Sequence, residues 1–263
     1  MEKQQGWQWQ QWQSLPYLTC DLLQDWQHGF FTQQCSPRLP EELVVALDSS
    51  AKVYRVKQVH GNIVLTPQEI ATVPKVETAT FPDADGVITD SSTNTSQSVW
   101  VASADCSPVL IGDRVTGRVA AVHAGWRGTA QKIVPQAVKR FQAGGSKRTD
   151  LVVAIGPAIA GAVYQVSETV AAEVGKSIVS QTDKVEIIQA LFSLPDSPLL
   201  PDEQSGRIRL DVRRVNQLQL QQLGFEPSQI AIAPYCTYQD KDYFFSYRRS
   251  KLKKVQWSGI VSH

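Results

Sequence analysis

The chain of 263 residues contains no window approaching the ~18 to 20 consecutive apolar residues that a membrane-spanning helix requires. Its opening stretch, MEKQQGWQWQQWQ, lacks the basic-then-apolar layout of a secretory signal. These absences predict a cytoplasmic protein that engages no membrane. Excess charge is missing as well: 26 Lys and Arg stand against 25 Asp and Glu, so there is no global positive field of the kind that gathers nucleic-acid phosphates. A small molecule is the expected partner, and nucleic acid is not. Cysteine is scarce; Cys20, Cys35, Cys106 and Cys236 are widely spaced, with neither the density of a disulfide framework nor a CxxC pair. They read as reduced thiols. Histidine numbers four, and internal repeats are absent.

What the chain does have is 42% apolar residues, enough for one large core or two modest ones at this length. Short runs rich in Val and Ile, bounded by Gly, Asp, Asn or Pro, predict strands: LVVAL at 43–47, KVYRVKQVH at 52–60, DGVITD at 85–90, SVWVASAD at 98–105, PVLIGD at 108–113 and GRVAAVHAG at 117–125. LVVAIGP at 151–157 and QIAIAP at 229–234 continue the series. Helical spacing marks 128–141, where Ile133, Val134, Ala137, Val138 and Phe141 share one side and Gly144 and Gly145 close the element. Pro135 sits either in its first turn or at a kink. Further helices are expected over 168–179, after Ser167, and from Asp211 to Gly224. The stretch SLPDSPLLPDEQSGRI at 193–208 reads as a long surface excursion. Strand signals fall on both sides of it, so the expected fold is a single-domain layered α/β sandwich with mixed sheets, spanning 1–263. Residues 1–13, with six glutamines and Trp7, Trp9 and Trp12, form an edge strand or a flexible tail.

His60, Cys106 and His123 each close one of the predicted strands, where side chains reach a shared crevice from elements far apart in sequence. Two imidazoles and a thiolate form a recognised zinc set, and three protein ligands leave a fourth position for water or substrate. Taken singly, a cysteine after an apolar strand is more often a small buried hydrophobe. Beside this trio, GWRGT at 125–129 opens a predicted helix. Its N–H groups and the Arg127 guanidinium suit an anion, and Gly125 and Gly128 allow close approach. Arg127 pairing with Asp105 or Asp85 is the alternative. Asp83, Asp85 and Asp90 in PDADGVITD are candidates for acid/base work, although DADG also suits a tight turn. Asp105 is expected to support the site or the fold and not to act as a base. The aromatic and basic YCTYQDKDYFFSYRR at 235–249 is either a stacking surface for a ring-shaped substrate or core.

HGFFT at 28–32, KQVHG at 57–61, ADGVIT at 84–89, ADCSPVLIGD at 104–113, AAVHAGWRGTA at 120–130, IGPAIAGAVYQV at 155–166 and CTY with FFSYRR within 236–249 occur in an order that resembles one family. It is the polyphenol oxidase or multicopper-laccase-like family, better described as zinc-containing purine nucleoside phosphorylases. The resemblance implies His60, Cys106 and His123 as ligands of one zinc per chain. It implies phosphorolysis of adenosine, inosine, guanosine and methylthioadenosine to free base and ribose 1-phosphate, with adenosine deamination as a second activity. Purine nucleosides and phosphate are then the partners. Copper is the less suitable metal, because a laccase needs several coppers on roughly ten histidines and a cysteine. In this scheme Arg127 and Gly128 hold phosphate, and Gln58, on the same strand face as His60, touches substrate. The tail departs from the family, which continues after SYRR with an acidic residue and a TGR turn; here SKLKKVQWSG follows. Two other readings use the same residues: a metal-free thiol hydrolase or deamidase in which His123 activates Cys106, and a metal-stabilised binding partner for another protein. Nothing in the sequence favours or opposes self-association.

Overall fold

A computed structural model describes residues 6–73, 81–90 and 95–263. Strand pairs of Val, Ile and Ala assemble into two six-stranded sheets and one three-stranded sheet. The first runs in the order Trp7–Trp12, Leu15–Cys20, His28–Phe31, Gln256–Val261, Gln97–Ser103, Lys52–Tyr54. The second runs Ile230–Ile232, Leu151–Ile155, Ser107–Asp113, Val119–Ala124, Gly86–Ile88, Val64–Leu65. Both are mixed: most pairings are antiparallel, whereas Lys52–Tyr54 with Gln97–Ser103, Leu151–Ile155 with Ile230–Ile232, and Val64–Leu65 with Gly86–Ile88 are parallel.

The pleat explains why the second sheet reads as unbroken apolar runs. Leu110, Val119, Ala121, Val152 and Ala154 face the first sheet and join Leu18, Phe30, Val99, Val101 and Ile260 in one core. Their neighbours Val109, Ile111, Ala120, Val122, Leu151, Val153 and Ile155 point the other way, against the helices Ile133–Ala143 and Val212–Gln222. Residues of alternating facing are thus all buried, which removes the polar face that an exposed sheet would show. The layers run sheet, sheet, helix: a mixed α/β sandwich, as the sequence predicts. A further core gathers the helices Glu168–Gly175 and Lys184–Phe192 around the small sheet of Gln165–Ser167, Arg207–Leu210 and Leu199–Pro201.

Several elements differ from expectation. LVVAL is helical and not a strand, because Pro40 presets the first helical φ and Glu42 caps the Leu39 N–H at 3.1 Å, carrying the chain through Pro40–Leu43 and a 3-10 turn at Val44–Ala46. KVYRVKQVH keeps only Lys52–Tyr54 as strand. Beyond it the side chain of Gln58 replaces the ladder, donating to the Ala102 carbonyl at 2.8 Å and accepting its N–H at 2.7 Å. The helix expected over 128–141 is split by Lys132, at φ 60°, into Trp126–Ala130 and Ile133–Ala143, and Pro135 falls in the first turn of the second. The 193–208 excursion contains two strands; Asp202 ties it down by accepting from Arg209 at 3.0 Å and from Gln165 at 2.9 Å. Trp7–Trp12 is the edge strand of the first sheet; the remaining residues 1–5 of the 1–13 stretch lie outside the described residues.

Gly259 lies mid-strand under the indole of the fully buried Trp100, and a Cβ there would sit 2.4 Å from the ring. Gly259→Ala is therefore expected to cost about 1–3 kcal/mol, as overpacking of a rigid core does, read as a lower urea midpoint with an unchanged slope.

Candidate metal centre

Three local features bring the site together. His123 lies within Val119–Ala124, buried between the two large sheets. Cys106 sits in the turn 104–106, where the chain leaves Gln97–Ser103 in one sheet and enters Ser107–Asp113 in the other. Asp105 shapes this crossover at φ 96°, its carboxylate accepting Thr237 Oγ1 and the Arg248 N–H, both at 2.7 Å. It is a structural anchor, as expected. His60 does not close a strand; it stands in a loop at φ 63°, a left-handed conformation costly for a residue with a Cβ.

The loop is held by Asp85. This fully buried carboxylate accepts the N–H groups of Val59, His60 and Gly61 at 3.2, 2.8 and 2.6 Å, and His123 Nδ1 at 2.9 Å. One anion therefore sets the backbone of one imidazole and the ring orientation of the other. With Nδ1 of His123 donating to Asp85, Nε2 is left for the centre, the outer-sphere arrangement that metal-bound histidines commonly have. The turn reading of DADG is thus insufficient for Asp85. Asp83 pairs instead with Lys57 at 3.0 Å, and Asp90 with Gln97.

The ligand atoms of His60, Cys106 and His123 lie within 4.8 Å of one another, and the two imidazoles meet edge to face with centroids 4.9 Å apart. Bonds of about 2.0–2.3 Å in a tetrahedron give ligand separations of about 3.3–3.8 Å, so a modest inward movement closes the set on one ion. Gly125 supplies the room: a Cβ at that position would fall 2.8 Å from Cys106 Sγ and 3.3 Å from the His60 ring. The donor set suits zinc.

Electrostatics favour the ligand form of the sulfur. Burial pushes the Cys106 thiol up, but His123 and His60 outweigh it and bring the pKa down to about 6. Burial likewise lowers the proton affinity of His123, and the thiolate and Asp85 more than reverse that, so it is raised. Asp85 is pushed up by burial and down further by His123 and the loop N–H groups, leaving it ionised. Cys20 moves the other way, to about 11, because it is buried without a cation.

The centre opens into a cleft of about 730 Å³. Arg127 lines it, exposed, stacked at 4.3 Å over Trp126, and paired with neither Asp105 nor Asp85; among the described residues no carboxylate lies within 4.0 Å of it. It belongs to the first turn of the five-residue helix Trp126–Ala130. Gln58 lines the cleft with its amide spent on Ala102. Gly128 is buried behind the wall, where a Cβ would meet the Gly61 carbonyl at 2.8 Å, so its close approach is to the His60 loop. Tyr164, Tyr247 and Arg248 also line the cleft; Tyr247 and Arg248 belong to the aromatic and basic 235–249 stretch, whereas no signal marked Tyr164 as a site residue. Burial and the Cys106 thiolate push the Tyr164 phenol up to about 12, and Arg248 lies 4.7 Å above its ring. The 235–249 stretch divides: Tyr235, Tyr243 and Phe244 pack on Trp9, while Tyr247 and Arg248 reach the cleft.

Residues 38–260 match the family described as multi-copper polyphenol oxidoreductase laccase. A Synechocystis sp. protein named purine nucleoside phosphorylase is 53% identical over 260 residues, covering 98% of this chain and 97% of that one. A Bacteroides thetaiotaomicron protein of the same name is 34% identical over 165 residues, 62% of this chain and 56% of that one. The crystal structure of YlmD from Geobacillus stearothermophilus has this fold, with a TM-score of 0.77 at 23% identity over 97% of this chain and 98% of that one.

Two outcomes are expected. Asp85→Asn keeps the shape but loses the charge, and should weaken zinc binding about 10–100-fold in a chelator competition. In metal-free protein, iodoacetamide should label Cys106 selectively at neutral pH, since its pKa is near 6 and Cys20 and Cys35 are raised. The thiolate exists above the pKa, so labelling should slow as pH falls through about 6, and zinc should protect; mass spectrometry of the labelled peptides measures both.

Proposed function

The chain belongs to the multi-copper polyphenol oxidoreductase laccase family, and from that premise we propose that it is a single-domain purine nucleoside phosphorylase with one zinc per chain. Adenosine, inosine, guanosine and methylthioadenosine are the proposed substrates, with phosphate as co-substrate and adenosine deamination as a side activity. The observation that carries this reading is the His60, Cys106 and His123 cluster at the base of a cleft whose wall presents the unpaired Arg127. The full-length similarity to a protein of that name supports it.

A copper oxidase does not fit the histidines. His28 is buried with Nδ1 on the Trp26 carbonyl at 2.8 Å and Nε2 accepting the Cys20 N–H at 2.8 Å, and His263 stacks on Trp26. Only His60 and His123 remain for a metal, too few for a multicopper centre.

Zinc, when bound, supplies a Lewis acid and lowers the pKa of bound water towards ~7. The protein's own groups supply the rest. Arg127 holds phosphate by a two-pronged contact and orients one oxygen toward the sugar's anomeric carbon. Tyr164, kept protonated, donates a hydrogen bond to the departing base or to an accumulating negative charge. Trp126, Tyr247 and Trp257 on the cleft walls offer faces for a purine ring. The lowered pKa of Cys106 beside His123 and Asp85 also favours a second reading, a metal-free thiol hydrolase with a covalent intermediate.

Incubation of the purified chain with phosphate and a panel of purine nucleosides, with released base followed by chromatography, should yield base and ribose 1-phosphate. Cys106→Ala should lose both zinc and turnover; turnover by the unaltered chain after its metal is stripped would support the thiol reading and reject the first. Arg127→Ala should raise KM for phosphate about 10–100-fold, the loss expected for a charge-assisted hydrogen-bond pair.

A further inference from the structure

The chain leaves the helix Tyr247–Ser250 through Lys251, whose φ of 60° turns it back, and re-enters the first sheet at Gln256. Both ends of this strap are fastened. Arg249 donates to the carbonyls of Thr237, Tyr238 and Phe244 at 2.6, 2.7 and 2.7 Å, and Gln256 Oε1 accepts the Phe245 N–H at 2.9 Å. Between these anchors residues 251–255 are exposed, and every one of them lines the cleft that holds the metal ligands. Three of the five are lysines.

Nothing described in the protein neutralises them. Among the described residues no carboxylate lies within 4.0 Å of the Nζ atoms of Lys251, Lys253 or Lys254. Asp105, the one carboxylate on the cleft wall, is taken by Thr237 and the Arg248 N–H. Lys251 and Lys254 lean on aromatic rings, 5.6 Å from Tyr247 and 5.7 Å from Phe245, so their partners are faces and not anions. Three ammonium groups within four residues repel one another, and an anion in the cleft relieves that repulsion. Arg127, on a separate element two residues from the glycine that touches Cys106, already provides for one phosphate. A neutral nucleoside with one inorganic phosphate would leave the lysine side of the cleft unbalanced. The volume is within the ~300–1,000 Å³ range of small-molecule sites and accommodates a ligand spanning both.

We propose that Lys251, Lys253 and Lys254 form a second anion subsite, which takes a phosphoryl group carried on the sugar of a purine nucleoside, so that nucleoside monophosphates are ligands of this cleft. The purine part of this assignment rests on the phosphorylase reading; the anion part rests on the strap alone.

Calorimetric titration of the full-length chain with adenosine and with adenosine 5′-monophosphate tests it. Exposed ion pairs are individually weak, so the three together should favour the monophosphate about tenfold at low salt. That preference should shrink as salt is raised, since the lysines are solvated. The triple variant Lys251→Ala, Lys253→Ala, Lys254→Ala should lose the preference, while Lys139→Ala, a charge removed elsewhere on the surface, should keep it. Equal affinity of the unaltered chain for the two ligands overturns the proposal, whether or not the triple variant folds. So does a triple variant that keeps the full preference, or one in which only KM for inorganic phosphate rises, which assigns the lysines to the co-substrate. If the preference and its loss are both seen while no nucleoside is phosphorolysed, the subsite stands and the phosphorylase reading falls.

Discussion

Asp85 carries a negative charge at a position with no access to solvent, and each group that offsets its desolvation belongs to the metal centre. Three consecutive N–H groups of the His60 loop converge on it, together with the ring N–H of His123. Such a concave run of N–H groups around an anion is inexpensive for the backbone only when the anion is fixed in place. The left-handed φ of His60 follows from it: without the carboxylate, nothing would hold a residue with a Cβ in that conformation. The geometry of both imidazoles is therefore one consequence of one buried charge, and the thiolate of Cys106 completes the balance through His123.

The fold supplies the remaining ligand by a change of sheet. The chain passes from Gln97–Ser103 to Ser107–Asp113 in three residues, and Cys106 sits at the end of that passage. A crossover this short cannot drift, because both strands are buried and the intervening Asp105 is clamped by Thr237 and Arg248. The same contact ties the carboxyl-terminal segment to the floor of the cleft. The part of the wall that this segment supplies, Tyr247, Arg248 and the lysine strap, therefore comes from residues more than a hundred positions away from the sulfur. Gly125 and Gly128 serve this packing, one against Cys106 and the other against the Gly61 carbonyl, so the glycines of GWRGT bring protein to protein.

The histidine count separates the family's oxidase description from the chemistry of this chain. With His28 and His263 occupied around Trp26, a mononuclear centre with an open side is what the described residues can build. The cleft above it takes cations from two separate elements, Arg127 and the lysine strap, and aromatic faces from Trp126, Tyr247 and Trp257. A polar anion and a flat ring are the ligand chemistries that such a surface distinguishes.

The sequence by itself determined the layered sheets, because runs such as LVVAI and VLIGD bury both faces and leave no polar alternation to misread. It also determined the helices that begin at Ser167 and Asp211, whose side chains accept the first-turn N–H groups as capping requires. It marked His60, Cys106 and His123 as candidate donors, because scarce residue types stood at the ends of predicted strands within motifs that resemble one family, although His60 stands in a loop. Periodicity misled where a competing contact, near or far along the chain, overrides propensity. Pro40 and Glu42 turned a β-like LVVAL into helix, Gln58 ended a strand early by bonding sideways to Ala102, and Lys132 broke a periodic helix. Only the tertiary structure decided that Asp85 is the residue joining the two histidines, that Arg127 is unpaired, and that the lysines of the tail stand over the same cleft. Spacing along the chain holds no record of these meetings, because they are set by how two sheets stack and where a crossover between them brings distant side chains together.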